Sequence, residues 1–157
     1  YHQRVPFVKA LADSCMRNAS NRGHVTTLLG RKCRFNLYEP RGDRTIPLPY
    51  EDAVDKWGEQ NITRSYTYKA LNRLIQGSAA DMTKKAMLDL YKEGYVPHVQ
   101  VHDELDISVE TKQQAKEIKE IMENCVQLEV PNVVDAELGT TWGNATTSYE
   151  EAFNERD

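Results

Sequence analysis

A chain of 157 residues, 39% apolar and 28% charged, has room for one compact core, or one domain with a smaller lobe, and its composition is that of an ordinary globular protein. Its net charge of −4 argues at first against a nucleic-acid binder, and no apolar run approaches the roughly 20 residues of a membrane span. The charges are unevenly placed, however. Residues 1–46 carry nine basic and three acidic side chains, residues 47–102 seven of each, and residues 103–157 four basic and fourteen acidic. A chain that is +6 at one end and −10 at the other is suited to hold a polyanion by one end only.

Residues 6–22 read as a helix, with Pro6 in its first turn and Phe7, Val8, Leu11, Ala12, Cys15 and Met16 on one face. Residues 24–29 and 32–36 read as a hairpin turning at Gly30-Arg31. Pro40, Gly42, Pro47 and Pro49 break the stretch 37–62, which reads as a surface excursion with a short helix at 51–57. A long helix is expected from about Thr63 to Glu93, with Leu71, Leu74, Ile75, Ala79, Met82, Ala86 and Leu90 as its stripe and Gly94 as its stop. The glycine inside it, Gly77, costs about 1 kcal/mol against alanine and implies a kink or a close approach by another group.

A second hairpin follows, with strands at 96–101 and 105–109 around His102-Asp103-Glu104. Thr111 and Gln114 form a capping box opening a helix to about Gln127, with Ala115, Ile118, Ile121, Met122 and Cys125 inward. Residues 133–138 read as a last strand, and the acidic tail after Gly143 as frayed. The order implies an α+β fold, with helices against one face of an antiparallel sheet. Cys15, Cys33 and Cys125 form no CxxC pair and are expected as reduced thiols in a cytosolic setting. The start, Tyr1-His2-Gln3-Arg4, has neither Met nor a signal pattern, so a fragment or processed piece is expected.

Three constellations can carry chemistry. In Gln100-Val101-His102-Asp103-Glu104-Leu105, two carboxylates sit where an apolar strand ends. A hairpin turn projects such groups past the sheet, where they can hold Mg²⁺, which accepts one or two carboxylates and takes phosphate oxygens as further ligands. Merely solvated turn charges are the competing reading. Two-metal phosphoryl transfer needs a further bridging carboxylate, and neither Asp81 nor Asp106 reads as one. Asn72 and Gln76, four apart on a helix, can donate to the minor-groove acceptors that every base pair presents, or can simply be solvated. Gly30-Arg31-Lys32-Cys33-Arg34 is a basic turn able to contact phosphate, extended by Arg17 and Arg22, or again a solvated turn.

Together these segments resemble the C-terminal part of family A DNA polymerases, the DNA polymerase I type, with some likeness to phage members. Tyr1-His2-Gln3 with Pro6 is similar to the family's Tyr-x-Gln-x-x-Pro, and residues 23–32 to its Gly-Tyr-Val-x-Thr-x-x-Gly-Arg-Arg. Asn72-x-x-x-Gln76-Gly77-Ser78-Ala79-Ala80-Asp81 resembles its Asn-x-x-x-Gln-Gly-Thr/Ser-Ala-Ala-Asp helix, residues 100–105 its motif C, and Trp142 a tryptophan near its C-terminus. The resemblance implies a palm sheet with a catalytic hairpin packed by helices, spanning residues 63–157, and part of a helical fingers subdomain in residues 1–62. It implies Asp103 and Glu104 as metal ligands and His102 near the primer terminus. Asn72, Gln76 and Gln100 would face primer–template DNA, with Gly30, Arg31 and Lys32 at the fingers–palm junction.

The implied reaction is template-directed attack of a primer 3′-hydroxyl on a deoxynucleoside triphosphate. Two Mg²⁺ ions would activate the hydroxyl and stabilise the leaving pyrophosphate. The departures from the family are as informative as the matches. The upstream motif A aspartate, the triphosphate-binding fingers helix, a thumb and an exonuclease domain are absent from these residues. Tyr68, with Lys69 beside it, stands where many members have an arginine. The expectation is an enzyme part, located in the cytoplasm, inactive without an upstream polymerase portion. A non-catalytic DNA-binding or structural module derived from the palm is the alternative. An unrelated metal-dependent nuclease would need a carboxylate cluster the sequence does not offer.

Overall fold

The computed structural model describes residues 5–43 and 45–153, without the side chains at positions 150 and 153. The Tyr1-His2-Gln3 part of the first motif lies outside the described residues. The chain divides into two compact units, Tyr1–Asp81 and Met82–Asp157. The division falls inside the long helix.

In the first unit, α1 (Pro6–Arg22) starts where proline's missing N–H is harmless and ends at Gly23, whose φ of 74° is the left-handed cap that glycine supplies. Its N–H donates to Ala19 O at 3.1 Å. A side chain at Gly23 would also strike the Arg64 guanidinium, 2.8 Å from an added Cβ. β1 (His24–Thr26) and β2 (Lys32–Arg34) pair antiparallel with Val25 opposite Cys33. Both strands are shorter than expected, because the connection from Thr27 to Arg31 is used for contacts with the long helix. The core is Cys15, Ala19, Val25, Phe35 and Ala70, flanked by Cys33, Leu71 and Leu74. Phe7 and Leu11, expected inward, are exposed.

The proline-broken stretch is more regular than its composition suggests. β3 (Leu37–Pro40) is the centre of a three-stranded antiparallel sheet, between β4 (Leu48–Pro49) and β5 (Ile62–Arg64). Pro40 stands at a strand end and Pro49 on an edge strand, where a missing ladder donor is tolerated, and Pro47 lies outside the strands. α2 (Tyr50–Trp57) covers this sheet with the fully buried Ala53. Tyr50 packs edge-on against Tyr38 at 5.1 Å, and its hydroxyl donates to Glu59 at 2.6 Å, which raises the phenol pKa.

The long helix, α3 (Ala70–Lys92), starts later than expected. Residues 62–64 pair with β3, and Tyr66 has a φ of 59°, so an α-helix cannot begin before that point. Ile75, placed inward by periodicity, is exposed, while Asp81 is buried.

Among the described residues of the second unit, Ala86, Leu90 and Ile118 are the buried apolar ones. β6 (Val99–Val101) and β7 (Glu104–Asp106) form a two-stranded antiparallel ribbon, shorter than expected. α4 (Lys112–Asn124) opens with the expected Thr111/Gln114 capping box. Residues 132–134 are not a strand, because side chains of α4 take both backbone groups of Val134 and the Asn132 side chain is tied to α4. Glu123 accepts from Val134 N at 3.1 Å, Lys119 donates to Val134 O, and Asn132 reaches back to Met122 O. Only β8 (Glu137–Leu138) remains of the last expected strand. It pairs with β9 (Thr147–Ser148), and α5 (Tyr149–Phe153) follows, so residues 147–153 of the tail form regular structure instead of fraying. The fold is α+β with small, separate antiparallel sheets, in place of the single sheet expected. The three cysteines are free thiols, and no described helix is long and apolar enough to cross a membrane.

Candidate nucleic-acid and metal site

The hairpin β6–β7 places the carboxylates. Val101 pairs with Glu104, so His102-Asp103 is a two-residue turn. His102 takes a φ of 54°, the positive value that two-residue hairpins require at their first turn position and that histidine tolerates better than bulkier residues. The Gln100 side-chain amide donates to His102 O and closes the turn. His102, Asp103 and Glu104 are all exposed, so both charges stay solvated instead of being buried at a strand end. Glu104 shares a ribbon face with Val101, Val99 and Asp106, while Gln100 and Leu105 share the other.

The indole of Trp142 lies on the same carboxylate. Its Nε1 is 3.4 Å from Glu104 Oε1. A 3₁₀ turn (Trp142–Asn144) with a Thr141/Asn144 capping box fixes where that indole starts. Sequence reasoning noted Trp142 without a role; its contact lies 38 positions from Glu104 and carries no local signal. Among the described residues no group of three or more His, Cys, Asp or Glu side chains is arranged to hold a metal ion. The donor set is two hard carboxylates, which suits Mg²⁺ in type but supplies only part of its coordination.

In the first unit α3 presents two faces. Asn72 and Gln76 are exposed on one, with Ala79 and Ala80 exposed beyond them. The other is clamped by the β1–β2 turn. Thr27 Oγ1 donates to Asp81 Oδ2 at 2.6 Å and accepts from Arg31 N at 3.0 Å. Arg31 donates from Nε to Asp81 Oδ1 at 2.6 Å and from Nη2 to Gly77 O at 2.9 Å. Ser78 Oγ accepts from Leu28 N at 3.0 Å. The hydrogen bond to Asp81 raises the Arg31 pKa further and fixes its charge.

Gly77 is therefore explained by close approach. A Cβ there would lie 2.9 Å from Thr27 Cγ2 and 3.2 Å from both Arg31 Nη2 and Cys33 Sγ. Of the two basic turn residues, Arg31 is committed to α3, whereas Lys32 is exposed and makes no ion pair among the described residues.

The family model for DNA polymerase family A matches residues 1–144. The chain belongs to DNA polymerase family A. It is 41% identical over 145 residues to a DNA-directed DNA polymerase of Pseudomonas phage M6, covering 92% of this chain and 19% of that protein. It is 35% identical over 155 residues to DNA polymerase I of Bacillus caldotenax, covering 92% of this chain and 16% of the relative. A solved structure, the POL domain of Pol1 from M. smegmatis in complex with DNA primer-template and dNTP, superposes with a TM-score of 0.58 at 30% identity, over 84% of this chain and 22% of that one. The chain thus spans less than a fifth of the length of these two family A relatives.

Proposed function

We propose that this chain is the C-terminal part of a DNA-directed DNA polymerase, contributing half of the nucleotidyl-transfer site, and that it is inactive without an upstream portion. The observation that carries the reading is the Asp103-Glu104 pair, displayed at the tip of a hairpin in a chain that belongs to family A. The ribbon also looks incomplete. Both its edges are unpaired, Val99 and Val101 are exposed, and Asp106 Oδ2 is enclosed with no hydrogen-bond partner among the described residues. A further strand beside it would pair one of those edges and cover the valines, and an N–H that it brings could donate to Asp106 Oδ2.

On this reading residues 1–62 belong to the fingers side and residues 63–157 to the palm. Asp103 and Glu104 hold Mg²⁺, with Trp142 orienting Glu104. When bound, Mg²⁺ supplies charge stabilisation for phosphoryl transfer. The Asn72 and Gln76 amides donate to minor-groove acceptors of the primer–template near the nascent pair, testing base-pair geometry without reading sequence. Gln100 spends one amide hydrogen on the turn and has one left for DNA. His102 lies near the primer terminus. Lys32 contacts phosphate, and Arg31 keeps that turn seated on α3. The primer 3′-hydroxyl attacks the incoming deoxynucleoside triphosphate and pyrophosphate leaves.

Primer extension tests the proposal. The purified chain should incorporate no nucleotide alone, and incorporation should appear when the upstream portion of a family A polymerase is added. Incorporation by the 157 residues alone would overturn it.

A further inference from the structure

The hairpin β1–β2 leaves one edge open, and the polymerase reading makes no use of it. Phe35 N donates to Gly23 O and Thr27 N to Arg31 O, so residues 23, 25 and 27 turn their backbone groups toward β2. By the alternation of an antiparallel ladder, the N–H and C=O of His24 and Thr26 point the other way. That sheet has two strands only, and among the described residues nothing bonds those four groups. His24 and Thr26 line a groove of about 270 Å³ with one face of α1. Leu11, Cys15 and Leu74 make the groove apolar. Asn18 and Arg22 add polar side chains that have no hydrogen-bond or ion-pair partner among the described residues. The His24 ring is held at the end of α1, its Nδ1 donating to Arg22 O at 3.1 Å.

We propose that this groove takes an acidic, extended peptide segment of another protein, which adds a third strand beside β1. Edge and groove together select that mode. An extended backbone bonds the open groups of His24 and Thr26, and an apolar side chain settles against Leu11, Cys15 and Leu74. Size agrees. Leu11 and Arg22 stand ~16 Å apart along α1, the reach of about five extended residues. A volume of about 270 Å³ holds one large side chain and its neighbours, and falls below the roughly 300–1,000 Å³ of sites that enclose a whole small molecule. Charge agrees as well. Arg22 has no acidic partner among the described residues, and it lies in the +6 end of the chain, so a carboxylate beside the apolar side chain completes it. A nucleic-acid phosphate would meet Arg22 but leave the apolar lining and the strand edge unfilled. The inference stands apart from the polymerase chemistry.

Fluorescence anisotropy on the full chain tests it, with a fluorescein-labelled hexapeptide of alternating Asp and Phe. The wild-type chain should bind this peptide saturably. Lysine in place of each aspartate should weaken binding by about tenfold or more. N-methylation of the peptide backbone should do the same, because it keeps every side chain and removes the N–H groups that a strand needs. Arg22→Gln should lose about tenfold for the Asp–Phe peptide. Arg22 is exposed, so circular dichroism of that variant should match the wild type. Thr26→Pro removes one N–H from the open edge, where proline is tolerated, and should weaken the Asp–Phe peptide while leaving the N-methylated one as it was. The peptide comparisons need no variant, so they decide the matter even if Thr26→Pro does not fold. Absence of saturable binding, or equal binding of the N-methylated peptide, would overturn the proposal. So would loss of binding on adding the upstream polymerase portion, which would assign the groove to that portion. Displacement of the peptide by duplex DNA, with Arg22→Gln weakening both equally, would make the groove a phosphate contact and the peptide wrong.

Discussion

Replacing Gly77 by alanine sets two effects of known size against each other. Inside a helix the change gains about 1 kcal/mol of propensity. Against that, the new methyl would lie 2.9 Å from Thr27 Cγ2 and 3.2 Å from Arg31 Nη2 and Cys33 Sγ. Thr27 cannot swing aside, because its hydroxyl is held by Asp81 and by Arg31 N. Overpacking of this kind costs typically 1–3 kcal/mol, and with three tight neighbours the upper half of that range applies. The net loss should be about 1–2 kcal/mol, measured by urea denaturation of the chain. Thr27→Ser removes the closest methyl and keeps the hydroxyl, so it should recover roughly half of the loss in the Gly77→Ala background, a coupling that independent sites would not show. Gly143→Ala meets nothing within 4 Å and should be neutral. If Gly77→Ala were as stable as the wild type, or more so, the β1–β2 turn would not lie against α3 as described.

Other expectations follow from the same geometry. Thr27→Val removes the hydroxyl that donates to the buried Asp81 carboxylate and should destabilise the chain by about 1.5–3 kcal/mol in the same assay. The Glu117 pKa is lowered by hydrogen bonds from Tyr95 and Gln113, and that of Glu123 by the Val134 N–H and then Lys119. Lowered carboxyl pKa values stabilise the fold above the unfolded-state pKa and lose that contribution as pH falls through the folded one. Denaturation between neutrality and strongly acid pH should therefore show stability falling in the carboxylate range, and Tyr95→Phe should return the Glu117 titration, followed by carboxyl NMR, toward its ordinary value. DNA binding by the isolated chain should be weak and steeply salt-dependent, carried by residues 1–46. Equal affinity at low and high salt would remove the basic end from the account.

What the sequence disclosed follows from how far each signal reaches. Pro6 at a helix start and Thr111 with Gln114 at another act within a single turn, and both helices begin where those residues say. The turn expected at His102-Asp103-Glu104 was legible to within a residue, Glu104 being the first residue of β7. The sheet at 37–64 was not, because its strands are two to four residues long and their pairing spans up to 26 positions, with prolines placed where a sheet can tolerate them. Pairing with β3 likewise overrode the helical pattern at 63–69. The Arg31–Asp81 pair was not legible either, because the two residues stand 50 positions apart. Gly77 was visible as an anomaly, and only the structure says what approaches it.

The central claim is that Asp103 is a metal ligand of a polymerase site completed by another part of the protein. Single-turnover nucleotide incorporation, with the chain and an upstream family A portion combined, tests it most directly. The wild-type pair should extend a primer, and the Asp103→Ala pair should bind the same primer–template with similar affinity yet incorporate at the background rate. Extension at the normal rate with Asp103→Ala would contradict the account.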